Sequence, residues 1–567
     1  MQNSINKVMG WVLAGSLVFT SCNKKLTEYN PTGMTADVTY TTAKGFETLV
    51  NAAYTYTRWW YGKEEGYSLS EMGTDIWTNG TGDVFPQLSR YDNLQGSNTS
   101  ALGMEWDNFY AAIYLINTGL AQIDNVPDYT DKQKTQRSAE LHFLRAFYYW
   151  HIVETWGGVH LTTEATAPGV IESTANRTPV EDFYKLIFQD LDYAVKNLAA
   201  TTSDYGRVTS PIAKAFQARM YLTRGMNAEA AATATDLINN VATYKYKLLP
   251  KFADLWNMGN LKNSEVIWAI DYSTNLANND LVSAAYPSGH PRGSNSGHML
   301  FLQVYDQVNK PLLVRDVPNG RPFNRYMPTK ALLDLFNEND DSRYQSSFQT
   351  AWLCNKAGTG AGNNFKPTDI STFKVGDTIC YTSKNTLDTT VMNAKHYTTY
   401  DISRVYNAAG IPTNRQFYVS LKKFKDSTRA SAGEAQSARD VFVIRLAEMY
   451  LVAAEANFNL GKPDVAAGFL NTLRTRAAIP GHEAAMQITG AQVNLDFILD
   501  ERARELCGEQ LRWFDLKRTN KLIDRVTRLN PDAAQYIKDF QTVRPIPQSQ
   551  IDAVTNKSEF SQNQGYK

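Results

Sequence analysis

The sequence carries no surplus of charge: 57 Lys and Arg stand against 57 Asp and Glu in 567 residues. No basic stripe or acidic tail stands out, so the electrostatic footprint of a nucleic-acid binder is missing. Cysteine is scarce. Cys22, Cys354, Cys380 and Cys507 are the four, with no C-x-x-C pair and no Cys/His spacing of a zinc site. No apolar run reaches the roughly twenty residues of a membrane-spanning helix; the run at 8–19, VMGWVLAGSLVF, is shorter. Catalytic motifs fail in turn. HEAAM (482–486) has Met486 where a zinc helix needs its second His. GSNSG (293–297) has Asn295 where a nucleophile elbow needs Ser. GTGAGN (358–363) lacks the Lys and the following helix of a phosphate loop. A glycosidase's carboxylate pair needs no fixed spacing, so a surface glycoside hydrolase stays open as an alternative.

What is present starts at the N-terminus. Lys7, the short apolar run, then Thr20 and Ser21 before Cys22 follow the layout of a secretory signal. The stretch resembles a bacterial lipobox, with Phe19 where Leu is commoner. Residues 1–21 then read as a lipoprotein signal peptide and 22–42 as a tether lipidated at Cys22, by palmitate or similar acyl chains whose membrane affinity grows with each buried CH₂. A plain cleavable signal with an incidental cysteine is the alternative.

At 43% apolar the rest is globular, and it has length for a large core. In 43–60, Phe46, Leu49, Ala53, Tyr56 and Trp60 step by three and four, which predicts one helical stripe. Residues 62–100 read as loop. Helices are predicted over 102–125 and 135–156, the second apolar on several faces and stopped by Gly157 and Gly158. Thr178 and Glu181 suggest a capping box opening the helix of 177–198. Helix pairs are predicted at 209–225 with 227–240 and within 441–478; they resemble tetratricopeptide repeats without a regular period. Residues 493–523 read as strong helix. Its charged part, 500–518, reads as an ion-pair network holding helices together, with Cys507 as a small buried hydrophobe. The fold class is mostly α: tetratricopeptide-like pairs in one large domain, with a loop-rich insertion that contains short strands. The expected divisions are an N-terminal helical region at 43–255, the insertion at 256–440 and a C-terminal helical region at 441–567. An exported chain is able to bridge Cys354 to Cys380; two unpaired thiols are the alternative.

Seven strings in order carry a family resemblance. The first two are the Cys22 lipobox and AELHFLRAFYYWHIVETWGGVHL (139–161). GRVTSPIAKAFQARMYL (206–222), IRLAEMYLVAAEANFNLGK (444–462) and LNTLRTRA (470–477) follow. DERARELCGEQLRWFDLKR (500–518) and RPIPQSQID (544–552) with QNQGY (562–566) complete them. The chain resembles the RagB/SusD family of nutrient-uptake outer-membrane lipoproteins. That resemblance implies a non-catalytic protein without cofactor or metal. It implies a lipid anchor in the outer membrane, facing the exterior. It also implies glycan capture and delivery to a SusC-like TonB-dependent transporter. A peptide- or protein-capturing member of the same architecture is the alternative.

A sugar ring has an apolar C–H face and a hydroxyl rim, so its site needs a flat aromatic with planar amide, carboxylate or guanidinium groups beside it. Family sites draw on the loop after the first helix and on the insertion. The loop offers Asp75, Trp77 and Asn79, preceded by Trp59 and Tyr61 off the core stripe. The insertion offers Tyr286, His290, Arg292 and Trp352. For Trp77 the alternative is a plug fixing its loop to the scaffold.

Overall fold

The computed structural model describes residues 40–167, 170–279, 295–366 and 368–567. The signal segment, Cys22, Tyr286, His290 and Arg292 lie outside the described residues. Among the described residues helix takes up 46% and strand 9%, so the mostly α expectation holds. The principal helices are α1 (Ala43–Thr55), α2 (Ser100–Gln122), α3 (Asp131–Trp156), α4 (Val180–Asn197) and α5 (Ser210–Thr223). They continue with α6 (Asn227–Asn239), α7 (Leu446–Asn459), α8 (Pro463–Ala477), α9 (Leu495–Leu506) and α10 (Arg512–Arg518).

Helix α1 begins at Thr42, whose hydroxyl accepts the Gly45 N–H. Its stripe is buried at Phe46, Leu49 and Ala53, and Trp60 follows it into the core. Helix α3 opens with a capping box between Thr130 and Gln133. From Ala139 to Trp156 nearly every side chain is buried, and Gly157 ends it. Helix α4 departs from expectation. Pro179, which has no polar side chain, stands at its N-cap, and the Thr178 N–H is donated to Val159 O one residue outside the helix.

Helices α3 to α6 pack each on the next, and α6 packs on α7, which pairs with α8. The row of helices is thus continuous in space although residues 240–445 leave it in sequence. Arg219 on α5 clamps the seam. It donates to both oxygens of Glu448 on α7 at 2.7 Å and to Val443 O at 2.7 Å.

Three other expectations are corrected. Residues 441–445, expected as the start of a helix, form a strand. VFVIR is rich in β-branched side chains and pairs antiparallel with Val266–Ile270, Val441 opposite Ile270. Residues 62–100 are not an open loop. They hold a helix at Glu64–Ser70 and a strand at Trp77–Asn79 paired with Tyr326–Pro328, and residues 66–80 are all buried. The 493–523 helix is broken between α9 and α10. Gly508 at φ +80° and Gln510 at φ +60° turn the chain, and the buried Glu71 carboxylate accepts the N–H groups of Gly508 and Leu511 at 3.3 and 3.1 Å. A Cβ on Gly508 would lie 2.8 Å from Leu421 Cδ2, so only glycine fits that turn.

The insertion contains the expected short strands: Ala351–Leu353, Thr378–Thr382 and Thr398–Tyr400 in one sheet, and Gly358–Ala361 with Ile370–Phe373 in a hairpin. Cys354 and Cys380 pack in its small core as unbridged thiols. The ladder sets Cys380 opposite Trp352, while Cys354 Sγ lies 3.4 Å from Leu312 O and 3.3 Å from Lys356 O, so the bridge is not made.

The charged 500–518 segment forms a network. Arg343, fully buried, contacts Glu501 at 2.8 Å, Glu505 at 3.0 Å and Asp341 at 2.7 Å. Arg445 joins Glu505, Glu265 and Glu509 at 2.7–2.9 Å. Asp500 pairs with Arg525 instead of its helical neighbour Arg504. Cys507 is buried as a small apolar side chain. No helix among the described residues is long and apolar enough to cross a membrane.

Candidate ligand groove

The first-loop residues point inward. Trp77 is fully buried, edge-on to Phe301 at 4.9 Å between ring centres. Asp75 is fully buried and accepts from Arg512 at 2.8 and 2.6 Å and from Arg525 at 2.6 Å. Asn79, 8% exposed, takes a hydrogen bond from Arg415 at 3.0 Å. Tyr61 stacks on Phe147, and Trp352 stacks on Tyr305 at 4.4 Å, both inside the core. These five are corrected from ligand contacts to fold contacts, because no ring face or polar edge among them is left open to a sugar. Trp59 alone of the described candidates keeps partial exposure, in the 3-10 turn Tyr56–Trp59 that extends α1.

That turn borders an open groove of about 980 Å³, including its mouth. One wall is α1 and its extension, with Asn51, Tyr54 and Arg58. The opposite wall is the α4–α5 turn, with Asp204, Tyr205 and Arg207, and the floor is the end of the Val266–Ile270 strand with Asp271. A second lobe of about 900 Å³ lies beyond Asp271, between Lys262, Ser273 and Asp440.

Local contacts hold each wall. Trp268 Nε1 donates to Gly206 O at 3.0 Å and ties the α4–α5 turn to the strand. Gly206 has φ +91°, which lets the turn present Tyr205 outward. Arg207 lies over the Tyr54 ring and donates to Asn51 Oδ1 at 2.6 Å and to Glu140 Oε2 at 2.7 Å. Arg58 donates to Asp271 O at 2.6 Å with its guanidinium 4.7 Å from the Tyr272 ring centre. Tyr205 is 37% exposed, with Lys262 Nζ 4.1 Å from its ring centre. Lys262 also reaches Asp271 at 3.8 Å. Burial and the facing carboxylates of Asp440 and Asp271 push the Tyr205 hydroxyl well up, so it stays a hydrogen-bond donor at neutral pH.

The groove therefore joins a partly open ring to carboxylate, amide and guanidinium groups, the combination a sugar requires. The sequence offered one clue: a tyrosine between Asp204 and Arg207 in a glycine-bearing turn between helices. Among the described residues no cluster of three or more His, Cys, Asp or Glu side chains is placed to hold a metal ion.

Comparison with known proteins follows the same lines. The model of the SusD family matches residues 264–566, and a second model, described as starch-binding and associating with the outer membrane, matches 41–222. The chain is 24% identical to SusD-like protein P2 of Formosa agariphila over 556 residues, 95% of this chain and 96% of that one. It is 25% identical to starch-binding protein SusD of Bacteroides thetaiotaomicron over 539 residues, 88% of this chain and 85% of that one. Among solved structures, a laminarin-binding SusD-like protein superposes with TM-score 0.69 at 23% identity, over 93% of this chain and all of the other. Surface glycan-binding protein A of Bacteroides thetaiotaomicron, in complex with laminarihexaose, superposes with TM-score 0.65 at 19% identity, over 92% and 99%. These likenesses share the fold, and with more than half its length matched by the family's own model, this chain belongs to the SusD family.

Proposed function

We propose that this SusD-family protein captures oligosaccharides for uptake and holds them in the groove at Tyr205. One observation carries the reading: the partly open Tyr205 ring lines an open groove together with Arg58 and Asp271, with Lys262 against its face. The names of its relatives, starch-binding and laminarin-binding, support a glycan as cargo. They are names of binding proteins, which supports capture without turnover. The N-terminal match to a model described as associating with the outer membrane supports an anchor there, through acyl chains on Cys22, facing the exterior. From that position the protein passes its glycan to a SusC-like TonB-dependent transporter.

The test is a panel of oligosaccharides and peptides titrated against the purified protein by calorimetry, with Tyr205→Ala beside it. Binding of a glycan that Tyr205→Ala weakens sustains the reading. Binding of peptides and of no glycan overturns it in favour of peptide capture, and release of reducing ends by the protein alone overturns it in favour of hydrolysis.

A further inference from the structure

The ladder between Val266–Ile270 and Val441–Arg445 pairs Ile270 with Val441. Carried one residue past the end of the ladder, the same register places Asp271 opposite Asp440. Directly opposed residues of an antiparallel pair have Cβ atoms about 4.5–5.5 Å apart, and like charges there repel. Both carboxylates line the second lobe, and Asp271 lines the first lobe as well. Asp440 is only 4% exposed, and its Oδ1 accepts the Tyr272 N–H at 3.0 Å.

We propose that the proton on Asp440, where it faces Asp271 across the ribbon, sets the groove's affinity for glycan, which falls when that proton leaves. The proposal rests on the glycan reading of the groove.

The neighbours of the pair do not neutralise it. Lys262 reaches Asp271 at 3.8 Å but is 59% exposed, so water screens the contact. Arg58 donates to the main-chain Asp271 O, not to either carboxylate. Arg439, next to Asp440, donates instead to Lys425 O and Trp256 O. Tyr205 faces the pair as a neutral hydroxyl, and Tyr272 likewise stays protonated, its hydroxyl raised well up by burial. Asp426, near Arg439, is committed to Thr428, Ser437 and Ala438. Burial, and after it the Asp271 carboxylate, push the Asp440 carboxyl up to about 7 against the stabilising Tyr272 N–H and the smaller opposing effect of the Lys262 charge. When the last proton leaves, a second negative charge arises at the base of the groove. Asp271 is driven from Asp440, and the wall that carries Arg58 on the Asp271 carbonyl moves with it.

Laminarihexaose and maltohexaose, which carry no charge to titrate, serve as probes. Titrated from about pH 5.5 to about pH 8.5, the wild type is expected to lose roughly three- to tenfold in affinity across the neutral range. Asp440→Asn keeps an acceptor for the Tyr272 N–H and cannot ionise, so the pH slope of its affinity is lost whatever its absolute affinity; Asp271→Asn is read for the same loss of slope should the first variant fold poorly. Melting temperatures read the pair without ligand. A carboxyl raised in the folded state keeps its stability contribution below its ordinary value near 3.8 and loses it as pH rises through about 7, so the wild type drops relative to Asp440→Asn over that interval. Affinity that does not change with pH, or changes equally in both variants, overturns the proposal alone. If neither sugar binds at pH 5.5 while the melting difference persists, the groove reading falls and the proposal falls with it.

Discussion

Asp75 spans 437 residues of sequence to meet Arg512, with its two carboxylate oxygens 2.8 and 2.6 Å from the guanidinium. Arg525 adds a third contact at 2.6 Å. All three side chains are buried, and the guanidinium groups hold the Asp75 carboxyl below its ordinary range despite the opposing effect of burial. The pair fastens the segment after α1 to α10 and the helix that follows it. Removing one partner of a buried pair leaves a stranded charge and costs about 3–5 kcal/mol. Asp75→Ala is therefore expected to lower unfolding free energy by about that amount, read from the urea midpoint at unchanged slope. A loss below about 1 kcal/mol would show that the pair is dispensable.

Trp77 and Tyr205 are expected to part ways. Trp77→Ala empties a fully buried site and costs about 3–5 kcal/mol of stability. Tyr205→Ala touches a partly exposed ring and leaves the melting temperature near the wild-type value, while affinity for a bound glycan falls about tenfold, the equivalent of about 1.4 kcal/mol. Melting curves and calorimetry on the two variants check this together. An unchanged glycan affinity in Tyr205→Ala removes that ring from the site.

The network around α9 predicts an acid limit. The fully buried Glu505 carboxyl is held down at about 2, and Glu501 lower still, by Arg343, Arg445, Arg474, Arg476 and Arg504 against the opposing effect of burial. Depressed carboxyls contribute stability that is present above their ordinary value near 4.5 and is lost as pH falls toward 2. Thermal melts between pH 6 and pH 2.5 are expected to fall steeply, and Glu505→Gln to start lower with a shallower fall. Parallel profiles in the two proteins would contradict this.

Glu105 on α2 makes the opposite case. Both oxygens are buried without a hydrogen-bond partner, and burial pushes the carboxyl well above its ordinary range. A raised carboxyl costs stability once the unfolded chain ionises, above about pH 4.5. Glu105→Gln keeps the shape and removes that cost. Its melting temperature is expected at or above wild type at pH 8, the gap closing toward pH 4; a variant much less stable at pH 8 would mean that the native carboxyl is charged and paired.

The helical scaffold was legible because burial in it follows period. The stripe of Phe46, Leu49 and Ala53 and the all-round burial of α3 follow from residues a few positions apart, and the charge density of α9 marked a network although most of its partners, Arg343 and Arg445 among them, lie far away in sequence. Trp77 and Asp75 misled because their partners, Phe301 and Arg512, lie hundreds of residues away, and a polar-looking loop gives no sign that distant arginines will draw it inward. Val441–Arg445 is a short apolar run, which fits strand or helix equally until its partner Val266–Ile270 is known. Cys354 and Cys380 are close in the insertion's core, but ladder register decides which side chains meet, and two sequence positions do not specify it. Tyr205 and Asp271 form a site only once Trp268 fastens one turn to the other.

The seam between α6 and α7 has a consequence for the order in which the chain matures. Until residues 446–459 emerge, α6 is covered by α5 alone, and Arg219 has no Glu448. A nascent chain therefore stays open at its middle until about four-fifths of it has been made, the situation in which late, long-range contacts govern folding speed.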